Sequence, residues 1–223
     1  MKIIRYVNAG DMTIEFQDEH KVQINTTYAN FKKGIKNPYD ISVSTMGYIG
    51  EGKYLSKIND IVTPIYAAWR NMLKRCYDES DRYLHPAYEN CVVDKEWHNF
   101  QTFAAWYEGN FYQVGTERMH IDKDILLKDN KIYSPETCIF VPQSINMVFM
   151  NKHRDVDSDL PNGINRCVGG YRSMYNTKSL GVSKTLEEAI EKYNIEKRIH
   201  IKRLVEEYGD ELPPRIRNIL LNW

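Results

Sequence analysis

The sequence predicts an α+β protein with a small N-terminal β module, a central ββα core with flanking helices, and a C-terminal three-stranded sheet followed by a helix. Short alternating segments dominate residues 1–60. Residues 61–155 contain two segments with apolar residues at helical spacing, followed by a strand, a turn, a strand and a helix. Residues 156–223 hold three strand-like runs before an amphipathic helix. A chain of 223 residues is long enough for two to three small modules of this kind.

The N-terminal module is predicted from alternation and turns. Ile3 to Val7 and Met12 to Phe16 alternate on either side of Asn8-Ala9-Gly10-Asp11, which predicts a half-buried hairpin. His20 to Ile24 predicts a third strand. The stretch that follows is rich in Gly, Tyr and Lys without a helical period. We therefore expect a small β-barrel-like module.

Two helices are predicted before the central hairpin. Thr63 and Pro64 suit the N-cap and first position of a helix. Its core-facing stripe has helical spacing and comprises Ile65, Ala68, Trp69, Met72, Leu73 and Cys76. The second helix runs from Glu96 to Glu108, and Gly109 is a suitable C-cap.

The central stretch has the order of a ββα unit. His120 to Leu127 predicts a strand, residues 128–131 a polar turn, and Thr137 to Val141 a second strand. Pro142 then suits the first turn of a helix. This order places Asp122, Lys123 and Asp124 on a strand opposite Asn146 on the helix. Oxygen ligands in such an arrangement suit a hard divalent cation, which together with a base for water could cut a phosphodiester bond.

The segment from Met119 to Asn151 resembles the HNH, or ββα-metal, nuclease family as it occurs in phage and prophage proteins. The resemblance implies that Asp122 and Asn146 hold Mg²⁺ or Mn²⁺, with zinc unexpected. Lys123 stands where the family has its general-base histidine, and Thr137 where it has a structural asparagine. A lysine of ordinary pKa, about 10.4, is charged at neutral pH and cannot accept a proton.

Two functions follow from this resemblance and stay open. As an enzyme, the protein would be a metal-dependent DNA endonuclease of the homing type, with His120, Lys123 and Asp124 as its catalytic residues. His120 shares a strand face with Asp122 and could replace the missing base. Alternatively, the scaffold has lost cleavage and serves a DNA-binding regulator, or a phage protein that inhibits a host factor.

The C-terminal module is predicted from turns and alternation. A strand starts at Gly163-Ile164, and turns at Gly169-Gly170 and at residues 176–178 delimit two more strands that end at Val182. Thr185 and Glu188 form a capping box for a helix that continues to Tyr208-Gly209. Leu212-Pro213-Pro214 interrupts it, and a short amphipathic segment ends at Trp223.

Three strands followed by one amphipathic helix resemble an AP2 domain. The resemblance implies that an exposed face of the sheet docks in the major groove of double-stranded DNA, which admits a β-ribbon. Arginine suits guanine and lysine suits phosphate. The candidate DNA-binding residues are Arg166, Tyr171, Arg172, Tyr175, Lys178 and Lys184. Strand charges that merely protect a sheet edge are the alternative for Arg172 and Lys178.

Composition sets the remaining expectations. The 30 basic and 30 acidic residues cancel, but residues 160–184 contain four basic residues and no acidic one. The four cysteines lack zinc-finger spacing, so we expect reduced thiols, with a zinc site of Cys76, Cys91, Cys138 and a histidine as a minor alternative. Without an apolar leader or an 18-residue apolar run, the protein is expected in the cytoplasm of a bacterial host, away from membranes.

Overall fold

The protein has an α+β fold, as predicted. The structure is a computed structural model that describes residues 1–84, 88–150 and 159–223. The strands are β1 Lys2–Asn8, β2 Asp11–Glu15, β3 Gln23–Thr26, β4 Lys57–Ile58, β5 Ile61–Val62, β6 Val92–Val93, β7 Met119–Asp122, β8 Ile132–Tyr133, β9 Ile139–Pro142, β10 Ile164–Cys167, β11 Gly170–Tyr175 and β12 Lys178–Ser183. The α-helices are α1 Tyr28–Lys33, α2 Pro64–Tyr77, α3 Glu79–Leu84, α4 Phe100–Asn110, α5 Gln143–Phe149, α6 Leu186–Tyr208 and α7 Pro214–Leu221.

The contacts within the chain form two compact units. The first unit contains residues 1–109 and 131–135, and the second contains residues 110–130 and 136–223. The division into modules 1–60, 61–155 and 156–223 therefore stays a prediction. Its second boundary, and most of the linker predicted from Lys152 to Asn162, lie outside the described residues.

The first unit begins with an open antiparallel sheet in the order β1-β2-β3. The predicted hairpin is confirmed, with Ile3 opposite Ile14 and Tyr6 opposite Met12. The expected β-barrel-like module is not seen among the described residues, where this sheet ends at β1 and β3 without closing. The stretch after β3, which has no helical period, nevertheless forms α1. Thr27 starts that helix by accepting a hydrogen bond from the Asn30 backbone N–H, a local signal that does not depend on hydrophobic period.

The rest of the first unit packs around α2. Thr63 caps this helix by accepting from the Tyr66 backbone N–H, as predicted, and Trp69 is fully buried, with its Nε1 donating to the carbonyl of Trp97 at 2.7 Å. The second predicted helix is divided. A 3₁₀ helix covers Lys95–His98 and α4 follows, because Asn99 has an extended backbone between them.

The second unit is organised by α6. Strands β7 and β9 pair antiparallel and α5 packs against both, which confirms the predicted ββα order. The first part of α6 covers the C-terminal sheet, and its later part packs with α5 and α7. The buried core formed there comprises Val114, Ile125, Ile139, Val141, Ile145, Ile201, Leu204, Val205, Leu212, Ile216 and Leu220.

The C-terminal sheet has the order β10-β11-β12 and is antiparallel throughout, as predicted from its turns. Val168 and Gly169 connect β10 to β11, and Cys167 pairs with Gly170. Gly170 has φ of +136°, and a Cβ there would lie 2.1 Å from the carbonyl oxygen of Ser183. Only glycine fits this position without a backbone shift, so the turn sets the register of the sheet.

Candidate functional site

The first predicted site begins at the end of β7. The strand ends at Asp122, earlier than predicted, because the Asp122 side chain turns the chain. Its Oδ1 accepts hydrogen bonds from the backbone N–H groups of Asp124 at 2.7 Å and Ile125 at 2.8 Å. Burial raises the pKa of Asp122, while these two N–H groups and the nearby Lys123 ammonium lower it. One carboxylate oxygen of the proposed metal ligand is thus already bonded to the backbone.

Lys123 is part of a closed hydrogen-bond arrangement. Its residue is only 6% exposed. The Nζ donates to Asp124 Oδ1 at 2.7 Å and to the carbonyl oxygen of Asn130 at 2.5 Å. Asn130 Nδ2 donates back to the carbonyl oxygen of Lys123 at 2.9 Å. The ammonium and the amide therefore tie the two ends of the loop Asp122–Asn130 together, and the ammonium is held as a hydrogen-bond donor.

The other residues of this predicted site lie nearby in the fold. His120 is half-buried on β7 opposite Val141, and Asn146 is half-buried on α5, which packs against β7. Asp122 and Asp124 each use an oxygen in the loop's own hydrogen bonds. Across residues 1–84, 88–150 and 159–223, no group of three His, Cys, Asp or Glu side chains is arranged to hold a metal ion. Asp122 and Asn146 provide few oxygen ligands for Mg²⁺ or Mn²⁺, so these two residues alone do not fit the ion.

The second predicted site lies on the C-terminal sheet, whose two faces differ. One face is covered by α6. There Ser173 Oγ donates to the carbonyl oxygen of Ala189 at 2.8 Å. Tyr175 is 7% exposed, hydrogen-bonds to His200 Nδ1 through its hydroxyl at 2.7 Å, and packs edge to face on Tyr193. Burial raises the pKa of Tyr175 to about 12, so the hydroxyl stays protonated.

Three more candidates belong to the covered face. Tyr171 is two residues before Ser173, and strand alternation puts both on the same side. Arg166 pairs with Tyr171 across the strands, its guanidinium lies 5.8 Å from that ring, and it forms an ion pair with Asp159 at 2.5 Å. Lys178, opposite Tyr175, donates to Glu196 on α6 at 2.8 Å. These residues support the helix and the sheet edge.

The open face of the sheet carries Arg172. Asn165 on β10 lies opposite Arg172 on β11, and Arg172 lies opposite Val182 on β12. All three are exposed, with Val182 at 44%. Of the side-chain ion pairs in the described part of the chain, none includes Arg172. We call the line Asn165, Arg172 and Val182 the open-face row.

The structure thus divides the predicted DNA-binding residues between two faces. Arg166, Tyr171, Tyr175 and Lys178 are on the α6 side, Arg172 is on the open side, and the exposed Lys184 follows the end of β12. Sequence reasoning missed Asn165 and Val182. Two features of the sequence could have predicted them. The Val168-Gly169 turn determines which residues of β10 and β11 lie opposite each other, and strand alternation places Tyr171 and Arg172 on opposite faces of the sheet.

Comparisons with models of protein families, with curated proteins and with solved structures found no match for this chain. Within its described ranges, the chain has no helix that is both long and apolar enough to cross a membrane. All four cysteines are free thiols.

Proposed function

We propose that this protein binds double-stranded DNA with the open face of its C-terminal sheet. The observation that carries the proposal is the open-face row, a single line of three exposed side chains across all three strands. The other face is closed by α6, and among the described residues no element is seen to cover the side with the open-face row, so this is the side that would enter a groove.

The chemistry of the row suits base edges in the major groove. Arginine donates two hydrogen bonds to guanine O6 and N7, and asparagine pairs with adenine N6 and N7. The apolar surface of valine fits the thymine methyl group. Arg172 lies at the centre, between Asn165 and Val182, so one strand supplies the cation and its neighbours supply a polar and an apolar contact. Lys184, at the end of β12, suits a phosphate.

The test compares two arginines on opposite faces of one sheet. The affinity of the full chain for a pool of mixed-sequence 30-base-pair duplexes is measured by fluorescence anisotropy at several salt concentrations. Arg172→Ala is expected to weaken binding by about 5- to 150-fold, the range for one base contact. Arg166→Ala, the matched control, removes a guanidinium that is paired with Asp159 and leaves affinity nearly unchanged.

Affinity that falls steeply with rising salt would support phosphate contacts. Equal losses in the Arg166→Ala and Arg172→Ala variants would contradict a specific role for the open face. Salt-independent affinity, or no affinity for duplex DNA in the wild-type chain, would reject the proposal.

Metal-dependent cleavage is a second candidate. It is favoured by the ββα order and by Asp122, a half-buried carboxylate at the end of β7 with Asn146 on the adjacent helix. It is disfavoured by the engaged Lys123 ammonium in the place of the general base. We therefore propose the enzyme only as the alternative to a DNA-binding regulator without cleavage, or to a protein that binds a host factor.

One experiment distinguishes these functions. Supercoiled plasmid is incubated with the protein and with Mg²⁺, Mn²⁺ or chelator, and nicking and band shift are scored in the same samples. Nicking that needs the metal and is lost in Asp122→Ala would establish the enzyme. A shift without nicking would establish the regulator, and neither signal would direct the search to a protein partner.

A further inference from the structure

The edge strand of the N-terminal sheet is uncovered. β1 is the outer strand in the order β1-β2-β3, and all seven of its residues are exposed. Ile4, Tyr6 and Val7 are 42%, 59% and 54% exposed. Among the strands of the described residues, none pairs with the outer edge of β1. Free backbone donors and acceptors next to apolar side chains form a template for another strand.

The sequence of β1 is symmetric in polarity about Arg5. Moving outward from Arg5 in both directions, the chain has an apolar pair, a second apolar pair, and then a polar pair. These pairs are Ile4 and Tyr6, Ile3 and Val7, and Lys2 and Asn8. In two antiparallel strands related by a twofold axis, a residue before the axis lies opposite the residue equally far after it. A twofold axis at Arg5 would therefore place every apolar residue of β1 opposite an apolar residue of a second copy.

The charges of β1 also permit this register. The axis brings the Arg5 side chains of the two copies together, which alone would be repulsive. In each copy, however, Arg5 Nη1 donates to Asp11 Oδ1 at 3.0 Å and Nη2 donates to Oδ2 at 3.3 Å. The axis thus joins two bidentate ion pairs, in which two cations and two anions are adjacent and the net charge is zero.

We infer that β1 is a self-association surface whose occupant is β1 of a second copy, paired antiparallel about a twofold axis at Arg5. The two three-stranded sheets then join into one sheet of six strands. β1 has seven residues, and its register shifts against β2, between Ile3 and Arg5 and between Tyr6 and Asn8, increase its twist, so the segment that pairs is short. The interface is small, so we expect dissociation in the micromolar range, on the order of 1–100 µM. The inference does not depend on DNA binding.

The first experiment measures the mass of the full chain by sedimentation at concentrations spanning that range. The wild-type protein should change from monomer to dimer as its concentration rises. Ile4→Lys places a charge opposite Tyr6 of the second copy and should keep the protein monomeric. The matched control is Ile61→Lys, which changes an isoleucine of β5 that is 73% exposed and should leave the dimer intact. Both sites are exposed, so neither variant is expected to unfold the chain.

A wild-type chain that stays monomeric would overturn the inference. A dimer that is insensitive to Ile4→Lys, or equally sensitive to Ile61→Lys, would overturn it as well.

The second experiment tests the register by oxidation. Only residues on the twofold axis face their own equivalents, at a Cα separation of about 4.5–5.5 Å, which a disulfide can span. Arg5→Cys should therefore form a covalent dimer under mild oxidation. Lys2→Cys should not, because residue 2 faces residue 8 of the second copy. The wild-type chain, oxidised in the same way, measures the background crosslinking through Cys167, the one described cysteine that is not buried. Equal crosslinking of the Arg5→Cys and Lys2→Cys variants would refute the proposed register.

Discussion

The loop Asp122–Asn130 and the C-terminal sheet both carry charged residues that the sequence marks as functional, but they use them differently. In the loop, the Lys123 ammonium and the Asp122 and Asp124 carboxylates are bonded to one another or to the backbone within nine residues of chain. On the sheet, the Arg172 guanidinium extends from the uncovered face, and the structure gives it no ion pair among the described residues.

Charged residues that look alike in the sequence can therefore have different roles. One group stabilises the fold, and the other is available to bind a ligand. A buried ammonium with two oxygen acceptors holds a loop, and its removal should cost stability. An exposed guanidinium beside an asparagine and a valine contributes little to folding and is available to a ligand. The two regions should therefore respond in opposite ways to mutation, one in unfolding and the other in DNA affinity.

The largest expected effect is on stability, from Lys123→Met. Methionine has similar length but cannot donate to the Asn130 carbonyl and the Asp124 carboxylate, so both acceptors lose the hydrogen bond from the ammonium. We expect the free energy of unfolding to fall by about 2–3 kcal/mol, measured by urea denaturation. DNA affinity of the folded variant should be unchanged. Lys128→Met, at an exposed position of the same loop, is the control and should stay within about 0.5 kcal/mol of wild type.

The reverse result is expected for Arg172→Ala. Its effect appears in DNA affinity, as described above, whereas the free energy of unfolding should stay within about 0.5 kcal/mol of wild type. Urea denaturation without DNA checks this. A loss of stability larger than that of Lys123→Met would mean that Arg172 supports the sheet, and the contrast between the two regions would disappear.

Where local signals determine structure, the sequence predicted it well. The strands of the C-terminal sheet follow from alternation between glycine turns, and Thr63 and Thr185 cap helices with their own side chains. The ββα order was equally accessible, because Pro142, the last residue of β9, is also the N-cap of α5. In these segments each residue's neighbours in sequence are also its partners in space.

Prediction from the sequence failed where contacts between residues distant in the chain determine the structure. The bond from Lys123 to the Asn130 carbonyl closes a loop across seven positions, and no local pattern indicates it. The burial of Tyr175 depends on His200 and Tyr193 of α6, which lie far along the chain. The assignment of Arg166 and Arg172 to one surface overlooked strand alternation, which was available from the sequence.

A smaller effect on stability distinguishes two substitutions of Asp122. Asp122→Ala removes the acceptor for the Asp124 and Ile125 backbone N–H groups and should cost about 1 kcal/mol, as for a lost cap. Asp122→Asn keeps an oxygen acceptor and removes a charge that burial disfavours, so its free energy of unfolding should match or exceed that of wild type. Thermal unfolding of both variants measures this, and equal losses would show that the charge itself holds the loop.

The smallest predicted changes are in the pKa of Lys197, on the helix α6 that packs against both regions. Burial, and to a lesser extent the nearby Lys128 of the loop, lowers the pKa of Lys197 to about 8 from an ordinary value of 10.5. Its Nζ also lies 4.7 Å from the Phe149 ring and 4.1 Å from the Trp223 ring, contacts that favour the charged form. Because the folded pKa is below the unfolded one, folding releases a proton between pH 8 and 10.5, and this group adds stability as pH rises through that window.

Nuclear magnetic resonance titration of the lysine side chains, with Lys197→Arg to assign the signal, tests this directly. Lys128→Ala should raise the pKa of Lys197 slightly, because it removes a like charge. Trp223→Leu should lower it, because it removes a ring that stabilises the ammonium. A pKa that does not respond to Lys128→Ala would mean that the loop's exposed charge does not reach α6, so that burial and the two rings alone set the protonation of this helix.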